Sequence, residues 1–133
     1  MSEIIYPSVE ELMEVNKLVL EEIRVSKHDK IGVLPSGMVI LGGIVKNTKD
    51  EEGDVFDKAI VLLKGIIQRH PFGSGNRRTG IVSAAAFLEV NGKKLEIMEE
   101  TGYIQGVRER YYKDSEIKKW MKGGKIREFD RFH

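Results

Sequence analysis

The 133-residue chain has no cysteine, three prolines and a single tryptophan. Without cysteine there is no disulfide, no thiolate zinc site and no cysteine nucleophile. So few prolines argue against a sandwich or barrel, whose many turns draw on that residue. No apolar run approaches the roughly 20 residues of a membrane-spanning helix. The N-terminus lacks the basic-then-apolar pattern of a signal peptide, so a cytoplasmic protein is expected. An excess of one charge is also missing. The 22 basic residues face 21 acidic ones, and no global field calls for a nucleic acid or an anionic membrane. What remains is 41% apolar and 32% charged. That composition suits one domain over residues 1–133 with a single hydrophobic core, and the length is too short for two.

The periodicities that are present are helical. A first helix begins at Ser8, with Glu11 three positions on in the reciprocal capping-box pattern. Its apolar face runs Val9, Leu12, Met13, Val19, Leu20 and Ile23. Asn16 falls on that face, as a polar residue at the stripe's edge or one hydrogen-bonded in the core. Residues 29–53 are broken by Gly32, Pro35, Gly37, Gly42, Gly43 and Gly53. This stretch admits either a short helix around Met38 to Val45 or a small β-hairpin near 38–46, since its apolar residues also favour strands. From Asp54 to Arg69 a stripe of Phe56, Ala59, Ile60, Leu63, Ile66 and Ile67, widened by Val55 and Leu62, predicts a nearly all-buried helix. Pro71 stops it. A second central helix starts at Gly75 or Asn76, carries Ile81, Ala84, Ala85 and Leu88, and ends at Asn91-Gly92. Its small residues Ser83 to Ala86 suit close helix approach. Two amphipathic helices follow, around Met98 to Tyr112 and Ser115 to Met121, with Trp120 as a core anchor. The expected architecture is an all-α bundle with its core over about 8–121 and a loosely attached tail, 122–133.

The junction of the two central helices reads HPFGSGNRR, residues 70–78. His70 ends one helix, and the chain turns through Gly73, Ser74 and Gly75 into the next. A helix N-terminus exposes unpaired N–H groups and the positive end of the dipole, so it attracts anions. Glycines leave room for a phosphate to approach the backbone. Asn76 can cap the helix or hold the loop's shape. Arg77 and Arg78 set two permanent fork-shaped charges in the first turn, about 100° apart, to serve different sides of an anion or to leave one in solvent. Taken singly, a histidine before a proline is an ordinary helix end, and arginines in a first turn are ordinarily solvated. Jointly they form a cationic, amide-lined loop beside a base, which is what phosphoryl or nucleotidyl transfer requires.

The order His70-Pro71-Phe72, Gly75-Asn76 and Arg78 resembles the signature of the Fic/Doc superfamily, His-x-Phe-x-[Asp/Glu]-[Gly/Ala]-Asn-x-Arg. The start Pro7-Ser8-Val9-Glu10-Glu11, the segment Phe56-Asp57-Lys58-Ala59 with Leu62-Leu63, and Thr79 with AAAFLEVNG at 84–92 are similar to the helices of its death-on-curing (Doc) branch. Arg77 leans the same way, since Doc proteins carry a lysine there and Fic proteins a glycine. The resemblance implies a compact helical bundle and an enzyme that modifies proteins. It would move AMP, or in Doc a phosphate, from ATP or another nucleoside triphosphate to a hydroxyl of a target protein. On that footing His70 is the general base and Arg78 pairs with a phosphate. Gly73, Ser74, Gly75, Asn76 and Arg77 bind the nucleotide's phosphates, while Pro71 and Phe72 fix the loop. Magnesium and an antitoxin partner are implied as well.

The sequence also departs from that family. Ser74 stands where an aspartate or glutamate holds the magnesium, and a hydroxyl is a weaker, neutral ligand. The readings are a metal held weakly at Ser74, an acid such as Asp50, Glu51 or Glu52 substituting from elsewhere, or a degenerate, non-catalytic protein that binds nucleotide or a partner. Gly32-Val33-Leu34-Pro35 replaces the polar Gly-[Val/Ile]-Arg-Asp of Doc-like chains. Thr48 to Gly53 matches the letters of the family's inhibitory helix but has nothing apolar to anchor it. Lys118, Lys119, Lys122, Lys125 and Arg127 are read as a solvated face, and a nucleic-acid partner is not expected.

Overall fold

The computed structural model describes residues 3–22, 34–97 and 101–130. Six helices follow in order: α1 (Val9–Glu22), α2 (Gly37–Asp50), α3 (Val55–Arg69), α4 (Asn76–Val90), α5 (Thr101–Arg108) and α6 (Asp114–Met121). There is no strand among the described residues. The all-α expectation holds.

Helix α3 is the axis of the molecule. Ala59, Ile60, Leu62, Leu63, Ile66 and Ile67 are all at most 2% exposed, because α2, α4, α5 and α6 each pack on it. Burying each such side chain contributes on the order of 1.5–3 kcal/mol. Helix α4 returns antiparallel to α3. Gly80 permits the approach, since a Cβ there would lie 2.8 Å from Ile67. Helix α1 lies antiparallel along α4: its Ser8–Glu11 capping box forms in both directions, at 3.2 and 3.1 Å. The Asn91 side chain clamps the N-terminal strand of chain by exchanging bonds with both backbone groups of Ile5, at 2.8 and 2.9 Å.

The hairpin near 38–46 does not form. Residues 37–50 are one helix, with Leu41, Ile44 and Thr48 buried at helical spacing. Strand propensity is outweighed by packing: Ile44 seats where Gly65 of α3 lacks a Cβ, which would otherwise stand 2.8 Å away. The short helix weighed for 38–45 is therefore longer and takes in Lys46 to Asp50 of the charged segment, held by a Lys46–Asp50 pair at 2.6 Å. Helix α5 ends at Arg108 rather than Tyr112. Arg110 turns to φ 60°, and the Tyr111 N–H bonds the Gly106 carbonyl at 2.9 Å. The Tyr112 ring then packs on Gly106, where a side chain would collide at 2.3 Å. Met98 to Glu100 and Ile23 lie outside the described residues, as do Gly32 and Val33.

The tail is not loose through residue 129. Arg127 pairs with Glu116 at 2.7 Å and stacks 4.0 Å over the Tyr111 ring. Its carbonyl accepts the Tyr112 hydroxyl at 2.9 Å, a phenol whose burial pushes its pKa up to about 12. Ile126 and Phe129 pack on the core beside Trp120, which is 3% exposed as the anchor role requires.

Candidate active site

The site is built where α3 hands over to α4. His70 is the C-cap of α3, at φ 55° and ψ 59°, in the left-handed region. That conformation lets the chain reverse within residues 70–75, at a cost of roughly 1–2 kcal/mol for a residue with a Cβ. The imidazole is exposed. Pro71 is buried and accepts the Leu34 N–H through its carbonyl at 3.0 Å. Phe72 is 1% exposed, a core residue that pins the loop to the bundle.

Beneath the loop lies a closed set of polar bonds. Asn76, 4% exposed, accepts the Phe72 N–H at 3.1 Å and donates to the Phe72 carbonyl at 3.0 Å. Of its two sequence readings, holding the loop is the one observed. Asn16 is 1% exposed and reaches across from α1, its amide nitrogen donating to the Ser74 carbonyl at 2.9 Å and the Thr79 hydroxyl at 3.1 Å. Sequence reasoning did not connect Asn16 to the site. The signal was a polar residue on an otherwise apolar face. Gly75 completes the fit at φ 77°, a backbone conformation that strains a residue with a side chain, and a Cβ there would press on Leu20 at 3.1 Å.

The opposite side of the loop carries the N-terminus of α4 and three arginines. No side chain caps α4, so the amides of its first turn keep their affinity for an anion. Arg77 and Arg78 are exposed and line one cavity of about 400 Å³ with Ile81, Thr101, Gly102, Ile104 and Gln105. Arg69 is exposed one residue before His70, its guanidinium passing 3.3 Å from where a Gly43 side chain would begin. Among the described residues none of Arg69, Arg77 and Arg78 forms an ion pair.

The sequence model of the Fic/DOC family matches residues 6–88, more than half of the chain and the whole of α1 to the site. The chain belongs to the Fic/DOC family. No curated protein matches it. In Fic/DOC terms the loop, both central helices and α1 are the matched part, while α5 and α6 lie beyond the match.

A resident magnesium does not fit the donors present. Ser74 offers a neutral oxygen, and every ionisable side chain of residues 69–78 is basic. No cluster of three metal-ligating side chains occurs among the described residues. Asp50, Glu51 and Glu52 cannot substitute. Lys58, four positions into α3, bonds the Thr48, Lys49 and Glu51 carbonyls. That end of α3 lies about 18 Å along the helix from His70, at 1.5 Å per residue. The same placement keeps the Thr48–Gly53 segment, with its resemblance to an inhibitory helix, away from the loop. The basic C-terminal residues are largely engaged within the fold: Lys118 with Asp54 and Asp57, Lys122 over Phe56, Arg127 with Glu116. No described helix is long and apolar enough to cross a membrane.

Proposed function

We propose that this protein is a Doc-like transferase that moves a phosphate or an AMP group from a nucleoside triphosphate to a hydroxyl of a target protein, as the toxin of a toxin–antitoxin pair. The observation that supports it is the pairing of His70, exposed at the end of α3, with the uncapped N-terminus of α4 and its exposed guanidinium groups. The polyphosphate lies against the amides of the α4 first turn, with Arg78 and Arg77 meeting its charge. The target's hydroxyl oxygen attacks phosphorus, and its proton passes to the His70 imidazole. One O–P bond forms and one anhydride P–O bond breaks. Attack at the α-phosphorus expels pyrophosphate; attack at the γ-phosphorus expels the nucleoside diphosphate. The helix amides and arginines stabilise charge on the equatorial oxygens. Asn16, Asn76 and Phe72 act only by holding the loop.

The test is to incubate the protein and cell lysate with ATP labelled at the α- or γ-phosphate. Label transferred from γ identifies a kinase, and label from α an AMP transferase. Transfer from neither, and from none of GTP, CTP and UTP, rejects the enzyme reading. Ser74 favours the second reading, a degenerate protein that binds nucleotide or a partner without transfer. Transfer by Ser74→Asp alone would select it.

A further inference from the structure

We infer that the loop binds its polyphosphate as the free anion, neutralised by guanidinium groups, with no divalent ion bridging protein and phosphate. This deepens the nucleotide reading and rests on it. The position that would supply a metal-binding carboxylate is Ser74, and the ionisable side chains on either side of it are Arg69, His70, Arg77 and Arg78. The acids considered as substitutes lie at the far end of α3, where Asp50 pairs with Lys46 at 2.6 Å and the Glu51 carboxylate accepts the Gly53 N–H at 3.1 Å. Magnesium takes hard, anionic oxygen ligands and holds them in strict geometry. Here it would have to sit among cations and gain one neutral hydroxyl.

The electrostatics then invert the usual order. A magnesium ion chelated by the nucleotide cancels two of its negative charges, and so weakens its attraction to Arg77, Arg78 and the helix dipole. Metal and arginines compete for the same phosphate oxygens. With a carboxylate at position 74 the metal would gain a ligand and the loop would lose net positive charge, so the competition would become cooperation.

Calorimetry with inorganic tripolyphosphate and with ATP, each in EDTA and in excess magnesium, tests this on the full chain. Wild type binds both probes in EDTA, no tighter in magnesium and weaker by about three- to tenfold. Arg78→Ala loses about tenfold or more of the EDTA affinity. Ser74→Asp weakens binding in EDTA by about tenfold, and magnesium then tightens it. Should Ser74→Asp not fold by circular dichroism, the wild-type and Arg78→Ala comparison stands alone. Wild-type binding that is tighter in magnesium, or appears only with it, overturns the inference and leaves the nucleotide reading intact. Binding of neither probe under either condition overturns the nucleotide reading itself.

Discussion

The two ends of the α3–α4 pair follow opposite rules. At the end away from the loop, charges are matched within the protein. Asp54 and Asp57 cap α3 reciprocally at 3.0 and 2.8 Å, and Lys118 joins both carboxylates at 3.0 and 3.1 Å. The buried Lys58 ammonium meets the last carbonyls of α2, where the helix dipole favours a cation. At the loop end the polar groups beneath the surface are satisfied, but α4 has no side-chain cap, and among the described residues the arginines pair with no acid. His70 is held there in a costly backbone conformation. A cavity of about 680 Å³ lies at the matched end, lined by Asp54, Phe56, Asn91, Lys93 and Lys122 among others. It is larger than the one beside Arg78. Cavity size therefore does not distinguish the loop end; its charges, left without acid partners among the described residues, do.

The sharpest way to break that contrast is at His70. Replacing it by glycine removes the proton acceptor, and transfer falls by about 10²- to 10⁴-fold. The same change relieves the left-handed strain at φ 55° and raises stability by about 0.5–1 kcal/mol. Labelled-nucleotide transfer and urea denaturation measure the two effects on one sample. A His70→Gly protein that is less stable would mean the imidazole supports the fold, and the strain would no longer be a functional signature.

Asn16 tests whether the floor of the loop is as tightly satisfied as its bonds suggest. Asn16→Ala leaves the Ser74 carbonyl and the Thr79 hydroxyl without their buried donor, costing about 2–3 kcal/mol. Asn16→Asp keeps the shape but cannot donate to the carbonyl, and is expected to cost at least as much. A shift in the urea midpoint with an unchanged slope checks both. A shift below about 0.5 kcal/mol in either variant would show that water replaces the amide and that the floor is soft.

Much of this arrangement was legible in the sequence, and the residues show why. For α1 the capping box and the apolar period, and for α3 and α4 the apolar period and the stop signals, point to the same element, a consistency that makes local reading dependable. The loop was legible because its chemistry is contiguous, nine residues from His70 to Arg78. Helix α2 was not, since Gly37, Gly42 and Gly43 each disfavour a helix by about 1 kcal/mol. Only burial of Leu41 and Ile44 against α3 reverses that balance. The tail was misjudged for a related reason, because Arg127 is anchored by Glu116 and Tyr111, partners on a helix and a turn rather than in its own segment. Periodicity placed Asn16 on an inward face, but its partners lie 58 and 63 positions away, and no local pattern carries that distance.

The smallest expected effect is at the matched end, and its pH dependence separates charge pairing from capping. Burial would raise the Asp54 pKa, yet the Asp57 N–H, the Lys118 ammonium and the Phe56 N–H together hold it below its ordinary value. A carboxyl lowered on folding stabilises the protein above its unfolded pKa, and that contribution is lost as pH falls through the folded one. Asp54→Asn keeps a good N-cap while removing the charge. Because the side chain is 52% exposed, solvent screening limits the loss to about 0.5–1 kcal/mol at pH 7. Once pH has fallen through the lowered folded pKa the wild-type carboxyl is itself protonated, so the two proteins converge in urea midpoint. At pH 7 the substitution leaves nucleotide affinity unchanged, because Asp54 lies about 24 Å along α3 from His70, at 1.5 Å per residue. A difference that persists undiminished in acid would assign the stabilisation to cap geometry alone, and the matched end would then owe nothing to its charges.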